Sequence, residues 1–167
     1  MIFRKATKQD LDACWTILRD ARDEMLEKGR KQWDAAYPTR EIVEQDIENT
    51  TAYVLINENK IVVYASLKKD GESAYADSRC LWQQIGHYLA IHRMAVAINQ
   101  RGKGFAKTFL NEVTRLAETL NLQSIKTDTN FDNLEMLQLL RHAGFQQRGT
   151  VYYAKGNRIA FEKSLQK

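Results

Sequence analysis

Asn99-Gln100-Arg101-Gly102-Lys103-Gly104-Phe105-Ala106 is a basic, glycine-rich turn between two apolar segments of different periodicity. Before it lies Tyr88-Leu89-Ala90-Ile91-His92-Arg93-Met94-Ala95-Val96, apolar enough to read as a buried strand. After it, Ala106, Phe109, Leu110, Val113, Leu116, Ala117 and Leu120 recur at three- and four-residue spacing. That spacing predicts an amphipathic helix over 103–120. A strand that runs through a basic, glycine-rich turn into a helix aims backbone N–H groups and the positive end of the helix dipole at one point. Such a point suits a phosphate or pyrophosphate. Gly102 and Gly104 let the backbone approach a ligand, and Arg101, Lys103 and Lys107 add positive charge. Two familiar phosphate motifs are excluded by spacing. A P-loop needs glycine where Ala106 precedes Lys107-Thr108, and a dinucleotide fingerprint needs a third glycine where Lys107 stands.

The pattern that does fit is Arg-x-x-Gly-x-Gly/Ala, at Arg101, Gly104 and Ala106. It resembles the acetyl-CoA pyrophosphate loop of the GNAT superfamily of N-acetyltransferases. Further along, Ser124 to Thr129 reads as a short strand, followed by Asn130-Phe131-Asp132-Asn133, a helix from Leu134 to His142, and Gly144-Phe145. The spacing of Asn133, Met136, Leu139 and Gly144-Phe145 is similar to that family's Asn-x-x-Ala-x-x-Leu-Tyr-x-x-x-Gly-Phe. In that arrangement Gly144 takes the left-handed conformation that ends the helix, and Phe145 opens the next strand. The chain departs from the family at Leu140, where the family has a tyrosine that often protonates the departing CoA thiolate.

Working outward, Ile2 to Ala6 is predicted as a strand. Thr7 to Asp10 caps a helix that runs to about Lys28 and stops at Gly29. Arg30 to Pro38 is a loop. Thr39, with Glu41 in the first turn, starts a helix that ends at Asn49. Residues 52–57 and 60–68 form a hairpin across Glu58-Asn59, and Asp70 to Gly86 is a polar loop. Strands 145–154 and 158–165, joined by Lys155-Gly156-Asn157, finish the chain.

This order matches the GNAT order, so the resemblance extends over the whole chain. It implies a mixed α/β fold: a central, mostly antiparallel twisted sheet with helices on both faces and two splayed parallel strands, 88–96 and 124–129. It implies one N-acetyltransferase domain over 1–167, of bacterial type, with acetyl-CoA as co-substrate and no metal. The pyrophosphate would lie on Arg101, Gly102, Lys103, Gly104, Phe105, Ala106 and Lys107. The pantetheine amides would pair with the backbone of Met94, Ala95 and Val96, with Asn133, and Asn130 as a second candidate, bonding the arm from the other side. A backbone N–H near Met94 would polarise the thioester carbonyl.

Acetyl transfer to an amine needs the neutral amine. An alkyl ammonium with a pKa near ~10.4 is overwhelmingly protonated at neutral pH, so a base contributes. His92 is the candidate, two residues before Met94 and, by strand alternation, on one face with Tyr88, Ala90, Met94 and Val96. The alternative is a polar residue packed into the sheet. With Leu140 unable to donate a proton, Tyr152 and Tyr153 are the candidate acids, and a thiolate that leaves unprotonated is the other option. Trp33, Asp34 and Tyr37, with Asp77 and Trp82 from the next loop, supply aromatic walls and carboxylates for a cationic acceptor. The two tryptophans could equally anchor loops.

With 167 residues, 44% hydrophobic and 28% charged, the chain is long enough for a sizeable core. A net charge of +4, scattered outside the 101–107 loop, favours an anionic small molecule over nucleic acid. No run reaches ~18 apolar residues, no leader pattern is evident at the start, and Cys14 and Cys80 show no metal spacing. A cytoplasmic protein with a small-molecule or peptide amine acceptor is expected, with no membrane partner and a homodimer left open. An acyl-CoA-binding sensor, or an enzyme that acetylates protein N-termini or lysines, are the alternatives.

Overall fold

The computed structural model describes residues 1–165. Strand β1 is Ile2–Lys5, and a capping box opens the first helix: the Thr7 N–H donates to Asp10 Oδ2 at 2.7 Å. Arg4 forks onto the same carboxylate at 2.7 and 3.1 Å and, by those hydrogen bonds, lowers its pKa to about 2. One 3₁₀ turn follows, then α1, Leu11–Glu27, which buries Cys14, Ile17, Leu18 and Ala21 at helical spacing. Gly29, at φ +67°, ends it as expected, and the Arg30 N–H returns to Met25 O. Helix α2, Arg40–Glu48, is capped by Thr39, whose hydroxyl accepts from Ile42 N–H. Strands β2 (Ala52–Asn57) and β3 (Lys60–Lys69) form the predicted hairpin, with Glu58 and Asn59 both left-handed.

The central elements are β4 (Tyr88–Val96), α3 (Phe105–Thr119), β5 (Ser124–Thr129) and α4 (Leu134–His142). Helix α3 starts two residues later than expected because Gly102 and Gly104, at φ +74° and +83°, keep the chain out of the helix until Phe105. Gly144, at φ +86°, ends α4 with Phe145 N–H donating to Leu140 O, as its spacing predicts. Strands β6 (Gln146–Tyr153) and β7 (Gly156–Ser164) pair Tyr153 with Gly156. The turn is therefore Ala154-Lys155, one step earlier than predicted, and Gly156 is already in the strand. A bulge at Gly149, φ +73°, interrupts β6.

The strand order is β1-β2-β3-β4-β5-β7-β6. Strands β4 and β5 run parallel, while β1/β2, β2/β3, β5/β7 and β6/β7 are antiparallel, the mixed and mostly antiparallel sheet that was expected. The residues group into two compact units, 1–67 with 93–109, and 68–92 with 110 onward. In the first, α1 and α2 bury Cys14, Leu18 and Val43 against Val54, Tyr64 and Ala95. Burial pushes the Cys14 thiol up to about 12. In the second, Tyr75, Ala90, Val151 and Ala160 form a cluster flanked by Trp82, Tyr88 and Tyr153. There the parallel pairing ends at Ala90–Lys126, and the Thr127 hydroxyl donates to Ile91 O at 3.0 Å in place of a ladder bond.

Arg93 overturns the alternation expected along β4. Its φ is +52°, in the left-handed region that a bulky residue rarely occupies. The pleat is interrupted there, so Met94 and Val96 do not simply continue the face of His92. A buried clamp holds this conformation. Arg93 Nη2 donates to both Asp46 oxygens at 2.7 and 2.8 Å, Nε donates to one of them, and Nη1 donates to the Tyr37 hydroxyl at 3.0 Å. The Tyr64 hydroxyl donates to Asp46 Oδ2 at 2.6 Å, and Asp46 is 2% exposed. Removing one partner of a buried pair strands the other charge, at a cost of about 3–5 kcal/mol. Asp46→Ala is thus expected to lose about that much stability in urea denaturation, and a loss below ~1 kcal/mol would show that the clamp does not hold the unit.

Candidate active site

The 101–107 loop lies in the first unit, together with Met94, Ala95 and Val96. Residues 101–104 are exposed, and a Cβ added at Gly102 or Gly104 would meet nothing within 4 Å. The loop is an open cradle whose glycines serve backbone conformation. Helix α3 begins at Phe105, so its first N–H groups face the loop. Lys107 is exposed, Lys103 Nζ donates to Gln100 Oε1 at 3.0 Å, and Arg101 is paired with Glu24. A surface ion pair of this kind is weak and exchanges readily for a stronger anion. Together the loop amides, a helix start and three cations fit a pyrophosphate.

Trp33, Asp34 and Tyr37 lie in the same unit. Trp33 is 6% exposed and packs in the α1–α2 core. Asp34 and Tyr37 exchange backbone hydrogen bonds, and Asp34 Oδ1 accepts from Ala36 N–H, closing the loop on itself. The Tyr37 hydroxyl belongs to the Arg93 clamp.

The second unit holds His92, Tyr152, Tyr153, Asn130 and Asn133. His92 is flanked by Glu72, with Nε2 and Oε2 3.8 Å apart, and by the ring of Tyr75, 6.2 Å between centroids. Tyr75 and Tyr153 both donate their hydroxyls to Asp128 Oδ2, at 2.7 and 2.8 Å. Burial raises the Asp128 pKa, and burial beside that carboxylate pushes both phenols well above their ordinary value. Tyr153 therefore keeps its proton firmly, which suits a network member better than an acid for a leaving thiolate. Tyr152 lies elsewhere, its ring under the Arg79 guanidinium at 3.9 Å. Asn133 Oδ1 accepts from Met136 N–H and caps α4, while Asn130 donates to Asp132 Oδ1 at 2.8 Å; both asparagines are buried.

Glu72, Tyr75 and Asp128 are additions that the sequence reading missed. An apolar Ser-Ala-Tyr-Ala inside the polar 70–86 stretch was a usable sign of Tyr75, which sits on a 3₁₀ turn at Ser73–Ala76 and is 4% exposed. Trp82 proves to be an anchor. Its Nε1 donates to Tyr75 O at 3.0 Å, and its face receives Lys126 Nζ at 4.8 Å. Glu162 pins the same loop by accepting from the N–H groups of Gln83 and Gln84.

Among the described residues, no helix is long and apolar enough to cross a membrane, and no group of three or more His, Cys, Asp or Glu is placed to hold a metal. No curated protein sequence matches this chain. A GNAT-family acetyltransferase from Streptococcus agalactiae is similar in structure, with a TM-score of 0.88 and 30% identity, covering 99% of this chain and 96% of that one. A ribosomal-protein-alanine N-acetyltransferase from Brucella melitensis, 22% identical, shares the fold at a TM-score of 0.72 over 99% of this chain and all of that one. AAC(6')-Ib, solved in complex with paromomycin and acetyl-CoA, shares it at a TM-score of 0.71 and 21% identity over 98% of this chain and 92% of that one. Residues 12–145 match the Acetyltransferase (GNAT) family, and the chain belongs to that family.

Proposed function

We propose that the chain acts as one N-acetyltransferase domain that passes the acetyl group of acetyl-CoA directly to a primary amine in a ternary complex. The observation that carries this reading is the passage from β4 through left-handed Gly102 and Gly104 into α3, with Arg101, Lys103 and Lys107 around it. The amine nitrogen attacks the thioester carbon, the C–N bond forms, and the C–S bond breaks with its electron pair leaving on sulfur. His92 takes the amine proton, and the backbone at Met94 supports the developing oxyanion. Acetyl-CoA turnover against amines, polyamines, amino acids and peptides, read by thiol release, tests the reading.

Leu140 stands where the family has its tyrosine and is 1% exposed, so it packs and donates nothing. Leu140→Tyr is expected to cost about 1–3 kcal/mol by overpacking and to leave the transfer rate within a factor of ten. A tenfold rise in rate would show that the enzyme lacks an acid it can use. This same buried leucine favours the second reading, an acyl-CoA-binding sensor with little catalysis. Acetyl-CoA binding without thiol release toward any acceptor would establish that one instead.

A further inference from the structure

The cluster around His92 offers more than a lone base. Glu72 and Tyr75 reach it from the segment between β3 and β4, and both have second attachments. Glu72 Oε1 accepts from Ala74 N–H at 3.0 Å, which fixes the carboxylate at the start of the 3₁₀ turn. The Glu72 carbonyl accepts from the Tyr88 hydroxyl at 3.4 Å, tying the same residue to β4. Its free oxygen, Oε2, lies 3.8 Å from His92 Nε2, and both side chains are largely buried, at 21% and 12% exposure. Glu72 is thus tethered at two points, and its Oε2 is left facing the imidazole at 3.8 Å, an ion-pair rather than a hydrogen-bond distance.

We propose that Glu72 is a positioning residue for His92: held 3.8 Å from Nε2, its carboxylate faces the positive charge that the ring acquires when it takes the acceptor's proton. The inference rests on His92 as the base. In the step, the amine lone pair forms the C–N bond, the CoA sulfur leaves with the C–S electrons, and the amine proton moves to His92. The imidazolium then sits opposite the Glu72 carboxylate and returns its proton to water after the product leaves. The other groups around it are compatible with this role. Tyr75 and Tyr153 are neutral phenols bound to Asp128, a second carboxylate that senses Glu72 and Arg158. Lys126 lies over the rings of Tyr88 and Trp82 and 4.0 Å from Glu162. The Glu72 carboxylate is therefore the charge that the ring faces at 3.8 Å.

Glu72→Gln tests this with little structural cost, because the amide oxygen can still accept from Ala74 N–H. The measurements are pH–rate profiles of the parent, Glu72→Gln and His92→Ala, together with an NMR titration of the His92 ring in the parent and in Glu72→Gln. A unit charge at about 4 Å is expected to move the titration by roughly one pH unit or more. The parent rate should rise through an apparent pKa that His92→Ala lacks. Glu72→Gln should keep that rise but move it down by about one unit, with the NMR titration moving equally. If His92→Ala retains the parent profile, the base reading falls and this inference falls with it. If His92→Ala loses the rise while Glu72→Gln leaves profile and titration where they were, His92 stands and the role of Glu72 is overturned.

Discussion

Gly104→Glu abolishes acetyl-CoA binding. Size is not the reason, since a side chain there would project into open space. The first reason is conformational: at φ +83° any residue with a Cβ is strained, by about 1–2 kcal/mol, and the start of α3 shifts to relieve it. The second is electrostatic. The loop gathers Arg101, Lys103, Lys107 and the amides that open α3, and a carboxylate at its centre would satisfy those donors from within. It would also repel the pyrophosphate. Gly104→Ala shares the strain without the charge and should weaken binding without eliminating it. Calorimetry on both variants separates the two terms. Undiminished affinity in Gly104→Glu would mean that acetyl-CoA binds elsewhere.

His92→Ala lowers kcat/KM by about 10²–10⁴-fold, the usual cost of removing a general base. The acetyl-CoA affinity should hardly change, because the pyrophosphate loop belongs to the other compact unit. The direction with pH follows from the chemistry. A base must be unprotonated to act, so the parent rate rises as pH passes the imidazole's pKa, near ~6.5 when unperturbed. Without the ring, the rate depends on the acceptor's own deprotonation and climbs only toward the amine's pKa near ~10.4. Identical profiles for both proteins would make His92 a packing residue.

What could be read from the chain was local. Thr39 capping α2, Gly29 ending α1 and Gly144 ending α4 each act within a few residues, so their spacing in sequence is their spacing in space. The 101–107 loop was legible for the same reason. The start of α3 and the last hairpin were each displaced by a residue or two, because a glycine marks where the backbone can turn without fixing which residue does. At 154–156 the turn fell just before the glycine. The Asp128 network was not legible. Tyr75 and Tyr153 stand 53 and 25 residues from the carboxylate they share, and only the folded sheet brings them together. Strand periodicity likewise carried no hint of the break at Arg93, since its cause, Asp46, lies 47 residues away. Trp33 and Trp82 read equally well as walls or anchors, and a burial pattern decides such a question where a residue type does not.

The left-handed residues at 29, 102, 104 and 144 are glycines, whereas at 93 the chain uses a charge clamp to hold the same kind of bend. A glycine permits a bend, but a clamped arginine enforces one. The segment next to Met94 is consequently braced from helix α2. Hydrogen exchange is expected to show α2 and that part of β4 opening together, as one cooperative element. Changes in α2 that loosen Asp46 would then be felt first as restlessness in the backbone beside Met94, well before the unit as a whole gives way.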